Sequence, residues 1–451
     1  MLDKKTADQP EVPTLKDWTF SPVAAIEQAI QDVRKKCPPM LPAGLDRPLR
    51  LMEKLGGVHR RMPPVFHVAG TNGKGSALAF LQAVFESGGL SVHKFTSPHL
   101  VRFEERIVVA GKEIGADMLL DLITECARAA EGETVSFFEF FTALGFLAYA
   151  RAPADATLLE TGLGGTFDAT NVVERSVALL TRISFDHMRI LGQTLPEIAA
   201  NKAGIMKRGC PAVTAPQSPE VMAVFEARAA ATGARLFAAG RDWRTVPGDG
   251  FFDYEGPSFK VRLPLPRLIG PHQIVNAGTA LAALGQSEFS HLLKQDILDR
   301  AMAAVSWPGR LQRLERGALT DLLPPGWELW VDGAHNDSGA EVIVEQAKAW
   351  GEAKPLHIIT SFKRNKDTEG FYERLVGVPR TIQAVNATFD APMMPPQELC
   401  AGLQNLGFSH AAAAENLESA LQSLAFQFAT PQRILITGSL YLVGHALKLN
   451  G

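Results

Sequence analysis

A chain of 451 residues is long enough for two or three domains with real cores. Apolar residues make up 46%, charged residues 21%, and the formal net charge is −3, the profile of a soluble globular protein with no bulk reason to bind nucleic acid or a membrane surface. The four cysteines, Cys37, Cys126, Cys210 and Cys400, lie far apart without a CxxC pair, which argues against a zinc site or disulfide framework and for reduced thiols in a cytoplasmic protein.

In chain order, the opening stretch MLDKKTADQPEVPTLKDW is polar and lacks the apolar core of a signal peptide. Pro64–Ala69 is expected as a buried strand, and Ala77–Phe85 as a helix with apolar residues three and four apart. Between them HVAGTNGKGS, from His67 to Ser76, sets Gly70, Gly73 and Gly75 in the turn. Glycine lets a backbone approach a ligand closely, and converging N–H groups at a helix N-terminus suit an anion. Lys74 adds a charge for outer phosphates, and Ser76 a hydroxyl for a metal or phosphate. The spacing departs from G-x-x-x-x-G-K-[ST]: Val68 stands where the first glycine should, and Gly75 makes the hydroxyl one place late.

KFTSPHLVRFEERI follows an apparent strand; Pro98 stiffens its turn, and Ser97, His99, Arg102 and Arg106 are able to face a ligand, with a plain polar loop as the alternative. Glu139 lies among aromatics in SFFEFFTALGF. An unpaired buried carboxylate is costly, so it must be exposed, paired or bound to a cation. The apolar run that holds it, Phe137 to Ala150, falls short of the roughly 20 residues that span a bilayer. ATLLETG and SVALLTRIS are expected as buried strands. After the first come Gly162, Gly164 and Gly165, then Asp168, Thr170 and Asn171, in a spacing that is not the dinucleotide G-x-G-x-x-G and that suits a ligand turn or a structural one. After the second come Asp186 and His187; imidazole is a common metal ligand, although a lone histidine is more often structural. Lys202 falls in a helical stretch, LPEIAANKAGIMK, where a solvated lysine is ordinary. PAVTAP is expected as a strand, residues 241–268 as a small antiparallel sheet, and HQIVNAGTALAALG and DILDRAMAAVSW as helices.

Pro308-Gly309 breaks the pattern, and a second series begins: WELWVDG, PLHIITSF, TIQAVNATF and RILITGS, with helical stretches between. The expected fold class is therefore α/β, a helix-covered parallel sheet with a small antiparallel sheet over 1–305 and a second α/β unit over 306–451. Ligands in such sheets sit beyond the C-terminal strand ends, where the unusual residues of both halves cluster, so a site between two domains is expected. Arg310 in WPGRLQRL suits a phosphate across the junction or a surface salt bridge. Asp332, His335 and Asn336 in WVDGAHNDSGA follow a strand, where Asp332 serves either a ligand or a helix cap.

Together and in this order, HVAGTNGKGS, TSPHLVRFEERI, FFEF, ETGLGGTFDATN, DHMRILG, NKAGI, GPHQIVNA, PGRLQRL, VDGAHN and TGSLYLVGHAL resemble the folylpolyglutamate synthase/dihydrofolate synthase family of the Mur ligase superfamily over nearly the whole chain. The resemblance implies a P-loop ATPase-type domain over 1–305 and a Rossmann-like ligase domain over 306–451. It implies an amide ligase in which ATP phosphorylates a pterin-linked carboxylate and the amine of L-glutamate attacks the acyl phosphate. By motif position, Gly70, Thr71, Asn72, Gly73, Lys74, Gly75 and Ser76 would cradle the triphosphate. Asn276, Asp332 and His335 would hold the nucleotide, and Arg310 would reach its phosphates. Ser97, Glu139 and His187 would ligate one magnesium ion. Lys202 matches the lysine that the family carbamylates with CO2, an oxygen ligand for a second magnesium. Lys74, Lys202, His187 and Arg310 would carry the catalysis. Ser97, Pro98, His99, Arg102, Gly164 and Asp168 would meet the pterin substrate.

Three departures stand out: Asn201 where many relatives are acidic, Asp337 where proline is usual, and SFKRNKD, which keeps only its Lys366-Asp367 end. SPHLVR with His99 is similar to the bifunctional bacterial enzymes, which glutamylate both dihydropteroate and reduced folates. A monofunctional folate extender, a UDP-linked Mur-type ligase and a non-catalytic nucleotide binder are the alternatives. The chain ahead of the loop leaves no room for a UDP-binding domain, and Glu139, His187 and Lys202 speak against the last. The expected partners are small molecules only, with no nucleic acid and no membrane, and the expected state is a monomer.

Overall fold

The computed structural model describes residues 21–38, 41–386 and 393–451; the polar opening stretch and the end of TIQAVNATF lie outside them. Eight strands build the first sheet: β1 (Val65–Ala69), β2 (Val92–Phe95), β3 (Ile107–Val109), β4 (Lys112–Glu113), β5 (Ala156–Glu160), β6 (Val177–Leu180), β7 (Pro211–Thr214) and β8 (Arg235–Ala238). Their order is β4-β3-β2-β5-β1-β6-β7-β8. From β2 to β8 neighbours run parallel, and β3 and β4 add an antiparallel edge. Every residue of β1 and of β5 is buried, because helices cover both faces and leave no side for water.

On one face the helix Lys74–Ser87 packs against the helices Pro271–Gly285 and Gln295–Ala304. Phe66, Phe85 and Phe289 meet there, with ring centroids 4.8–6.2 Å apart. On the other, the helix Phe137–Arg151 is buried along most of its length. Three strands, β9 (Arg244–Pro247), β10 (Phe251–Glu255) and β11 (Lys260–Pro264), form the small antiparallel sheet expected from the sequence.

A further sheet holds β12 (Gln312–Leu314), β13 (Glu328–Val331), β14 (Leu356–Thr360), β15 (Thr381–Val385), β16 (Ala411–Ala414) and β17 (Arg433–Thr437), in the order β12-β13-β17-β14-β15-β16. All its pairings are parallel except β12 with β13. Among the described residues no helix is long and apolar enough to cross a membrane. All four cysteines are free thiols, three of them buried.

The segments that follow β1, β2, β5, β6 and β13 line one cleft of about 1170 Å³ between the two large sheets.

Candidate active site

The cleft floor is the turn after β1. Gly70 to Ser76 all line it. Gly73 has φ +90°, and a Cβ there would stand 2.5 Å from Asn276 Oδ1; one on Gly75 would strike the Trp307 ring. Glycine is required at both places, the first by backbone conformation and the second by close packing. Lys74 begins the helix, and its Nζ folds back onto the carbonyls of Gly70 (3.1 Å) and Thr71 (3.2 Å). Asn276 is buried beside this loop and donates to Gln273 Oε1 at 3.1 Å.

Around the floor stand groups whose burial changes their chemistry. Glu160, the last residue of β5, is buried and accepts a hydrogen bond from the Ser97 N–H at 3.2 Å. Burial raises its pKa, against the pull of Lys74, that N–H, Arg310 and Lys94. Arg106 is half-buried; its Nε donates to His99 Nδ1 at 2.8 Å and its guanidinium lies over the Phe103 ring, yet among the described residues no carboxylate forms an ion pair with it. Burial lowers its pKa to about 10. Lys202, at the end of the helix Leu195–Lys202, donates to the Gly70 carbonyl at 2.8 Å. Burial first, and Lys74 next, bring its pKa down to about 7, so a large neutral fraction exists at physiological pH. His187 lines the cleft at φ +50°, a region L side chains seldom adopt; its side chain is partly exposed, and the partial desolvation of its place lowers its pKa to about 4.

The opposite wall comes from the second unit. Arg310 follows the Pro308-Gly309 break, with Nη1 3.3 Å from the Gly309 carbonyl. Asp332, just past β13, is buried and accepts from the N–H groups of Leu311 and Ala334, both at 2.8 Å. His335 Nε2 lies 3.4 Å from Asp186 Oδ2, across the cleft, and the Lys366 ammonium also bonds Asp186. Burial alone would raise the Asp186 carboxyl, but His335, Lys366 and His187 hold it well below the usual carboxylate range.

Four of the expected site residues sit elsewhere. Glu139, expected to ligate magnesium, is not on the cleft wall. Its Oε2 accepts the Ser136 N–H at 2.7 Å in a capping box, and its Oε1 pairs with Arg47 at 2.9 Å. It is the paired carboxylate that burial demands, serving a helix end. Glu160 is a glutamate that does line the cleft, and its signal was a single acid ending the buried strand ATLLE. Arg102 is exposed and pairs with Glu113. His99 is buried, and its Nδ1 accepts from Arg106, the residue that lines the cleft. Asp168 is buried with both oxygens occupied: Oδ1 takes the Thr170 N–H at 3.0 Å and the Thr170 hydroxyl, and Oδ2 takes the Leu163 N–H at 2.8 Å. It braces the glycine turn, whose Gly162, Leu163 and Gly164 do line the cleft, as do Ser97 and Pro98.

A glycine-rich turn at a helix start that faces a second α/β unit across a cleft of charged groups suits a nucleotide-dependent enzyme. A family model described as "Dihydrofolate synthetase, C-terminal domain" matches residues 319–449. Dihydrofolate synthase/folylpolyglutamate synthase of Bacillus subtilis is 32% identical over 422 residues, 90% of this chain and 94% of the relative. Escherichia coli FolC in complex with DHPP and ADP superposes with a TM-score of 0.84 at 27% identity, over 95% of this chain and 98% of that one. The Yersinia pestis bifunctional folylpolyglutamate synthase/dihydrofolate synthase complexed with AMPPNP and Mn ion gives 0.83 at 27% identity, over 96% and 99%. The chain belongs to the dihydrofolate synthase/folylpolyglutamate synthase family.

Proposed function

We propose that this chain is an ATP-dependent ligase that adds L-glutamate both to dihydropteroate and to reduced folates. The observation that carries this reading is Arg106, a half-buried cation that no carboxylate among the described residues pairs with, facing the same cleft as the phosphate loop and Glu160. Such a cation suits a substrate carboxylate. A carboxylate is a poor electrophile, so it must be activated. Its oxygen attacks the γ-phosphorus and ADP leaves. The glutamate amine then attacks the acyl carbon, loses a proton, and phosphate departs with one former carboxylate oxygen. Lys74 and Arg310 approach from opposite walls and offset the negative charge that shifts during both displacements. The loop residues Gly70 to Ser76, with Asn276, Asp332 and His335, seat the nucleotide. Ser97, Pro98, Gly164 and their neighbours seat the pterin substrate.

Magnesium fits this donor set, because it keeps few protein ligands and takes the rest from phosphates and water. Glu160 supplies a buried carboxylate on the cleft wall, while Glu139 does not, and among the described residues no three His, Cys, Asp or Glu converge into a protein-only cage. Ser97, Glu160 and His187 would hold one ion, and Lys202 as its CO2-derived carbamate a second. When bound, the ions neutralise phosphate charge. The neutral amine is the species that adds to CO2, and a pKa of about 7 leaves a sizeable neutral fraction near pH 7, which supports the carbamate at Lys202. We assign the P-loop ATPase-type domain to 1–305 and the Rossmann-like domain to 306–451, in a cytoplasmic monomer whose partners are small molecules, without nucleic acid or membrane.

The test is ADP release with MgATP and L-glutamate, run separately with dihydropteroate and with tetrahydrofolate, with products weighed by mass spectrometry. Ligated product in both arms is expected. Product with tetrahydrofolate alone makes the chain a monofunctional folate extender, and none in either arm overturns the reading.

A further inference from the structure

The phosphate loop is fastened to the second unit by a network of polar side chains. Asn72 Nδ2 donates to Asn336 Oδ1 at 2.9 Å, and Asn336 Nδ2 donates back to Asn72 Oδ1 at 3.2 Å. Asn72 Nδ2 also bonds Ser338 Oγ, and Ser338 Oγ lies 2.9 Å from Ser184 Oγ. Ser184 in turn grips Thr71, its carbonyl accepting the Thr71 hydroxyl at 3.0 Å and its N–H donating to Thr71 Oγ1 at 3.1 Å. Asn336, Ser338 and Ser184 are all buried. Five side chains, those of Thr71 and Asn72 included, thus form one network around the two residues that precede Gly73.

The place of this network in the chain gives it consequence. Asn336 directly follows His335 and stands four residues beyond Asp332, so it is attached to the wall that must meet the nucleotide. Its Oδ1 also accepts the Gly339 N–H at 3.0 Å and so caps the helix Asp337–Trp350. The wall, the helix start and the phosphate loop share one amide. The reciprocal pair has both donors and both acceptors engaged, a geometry met only when the two units are docked in this register. Leu100 of the first unit packs into the apolar core of the second, so the units stay attached without the pair.

We propose that Asn72 and Asn336 form an interdomain clamp, with Ser338 and Ser184 as its support, that sets Asp332, His335 and Arg310 over the phosphate loop; Asn336 is a positioning residue for phosphoryl transfer. The link to turnover rests on the ligase reading above, whereas the clamp itself does not.

The experiment compares Asn72→Ala, Asn336→Ser and the double variant. Serine keeps a good helix cap but is too short to reach Asn72. Amide hydrogen exchange is followed at residues 71–73 and 336–341, together with steady-state kinetics. A clamp predicts that each single variant speeds exchange on the opposite unit by about five- to tenfold, the scale of one lost network of hydrogen bonds. It predicts that kcat falls by about tenfold in either single variant and hardly further in the double, while in Asn336→Ser KM for ATP moves by less than about threefold. Exchange that quickens only on the substituted side, or losses that multiply in the double variant, overturns the clamp. If the wild-type chain proves inactive as a ligase, the exchange data still decide the matter, so the two failures are distinguishable.

Discussion

At the scale of single residues, the site turns on which glutamate reaches the cleft. Glu160→Gln keeps shape and removes the charge, and is expected to lower kcat by at least about a hundredfold, the scale of losing one charged transition-state contact. Glu139→Gln is expected to leave kcat within about threefold and to cost about 1–2 kcal/mol of stability, through its capping box and its pairing with Arg47. Steady-state kinetics and urea midpoints on the same pair of variants check both; the reverse pattern would restore Glu139 as the metal ligand. Lys202→Ala is expected to abolish ligation while the far-ultraviolet circular dichroism stays unchanged. Added acetate or formate should restore part of the rate, since either supplies the missing anionic oxygen. Near-normal turnover without additives would remove the carbamate from the account.

At the scale of elements, the sequence marked most of what matters. The buried strands stood out because they are continuous apolar runs ended by polar residues, and the glycine turns because glycines with φ above zero cannot be hidden in a periodic pattern. The short edges escaped notice. The hairpin β3–β4, the strand β8 and the all-alanine β16 lie at the sheet margins, where pairing to a neighbour rather than side-chain character makes the strand. The site was legible where chemistry stays within one motif, as in HVAGTNGKGS. It was misread where two motifs carry the same residue type. Glu139 and Glu160 are both buried acids, and only the fold reveals that one faces Arg47 and the other the cleft. Asp168 stands in the turn that the sequence left open between a ligand role and a structural one, and its two oxygens are filled by N–H groups and a hydroxyl of that turn.

At the scale of the whole molecule, the second unit carries its own electrostatic anchor away from the cleft. Glu328 bonds Lys354 at 2.6 Å and Arg433 at 2.7 Å, and Arg433 stacks over Trp350. Burial would raise the Glu328 carboxyl, but hydrogen bonds from Lys354, Arg433 and Trp330 outweigh it and hold the pKa at about 2. That is below the roughly 4.3 of an unfolded glutamate, so the stabilisation is complete above about pH 5 and is lost as pH falls through about 2. Glu328→Gln is expected to cost about 2 kcal/mol at pH 7 and less at pH 3, read from urea midpoints at the two values. An equal cost at both would mean that packing, not charge, holds this corner.

The two units meet through polar contacts around the cleft, and the chemistry assigned to it has a direct signature. The substrate carboxylate is labelled with 18O, turnover is run with MgATP and L-glutamate, and the released phosphate is weighed. Activation through an acyl phosphate predicts one 18O in each phosphate formed and the loss of that oxygen from the amide product. Unlabelled phosphate accompanying the amide would contradict it, for the carboxylate would then never have been bonded to phosphorus.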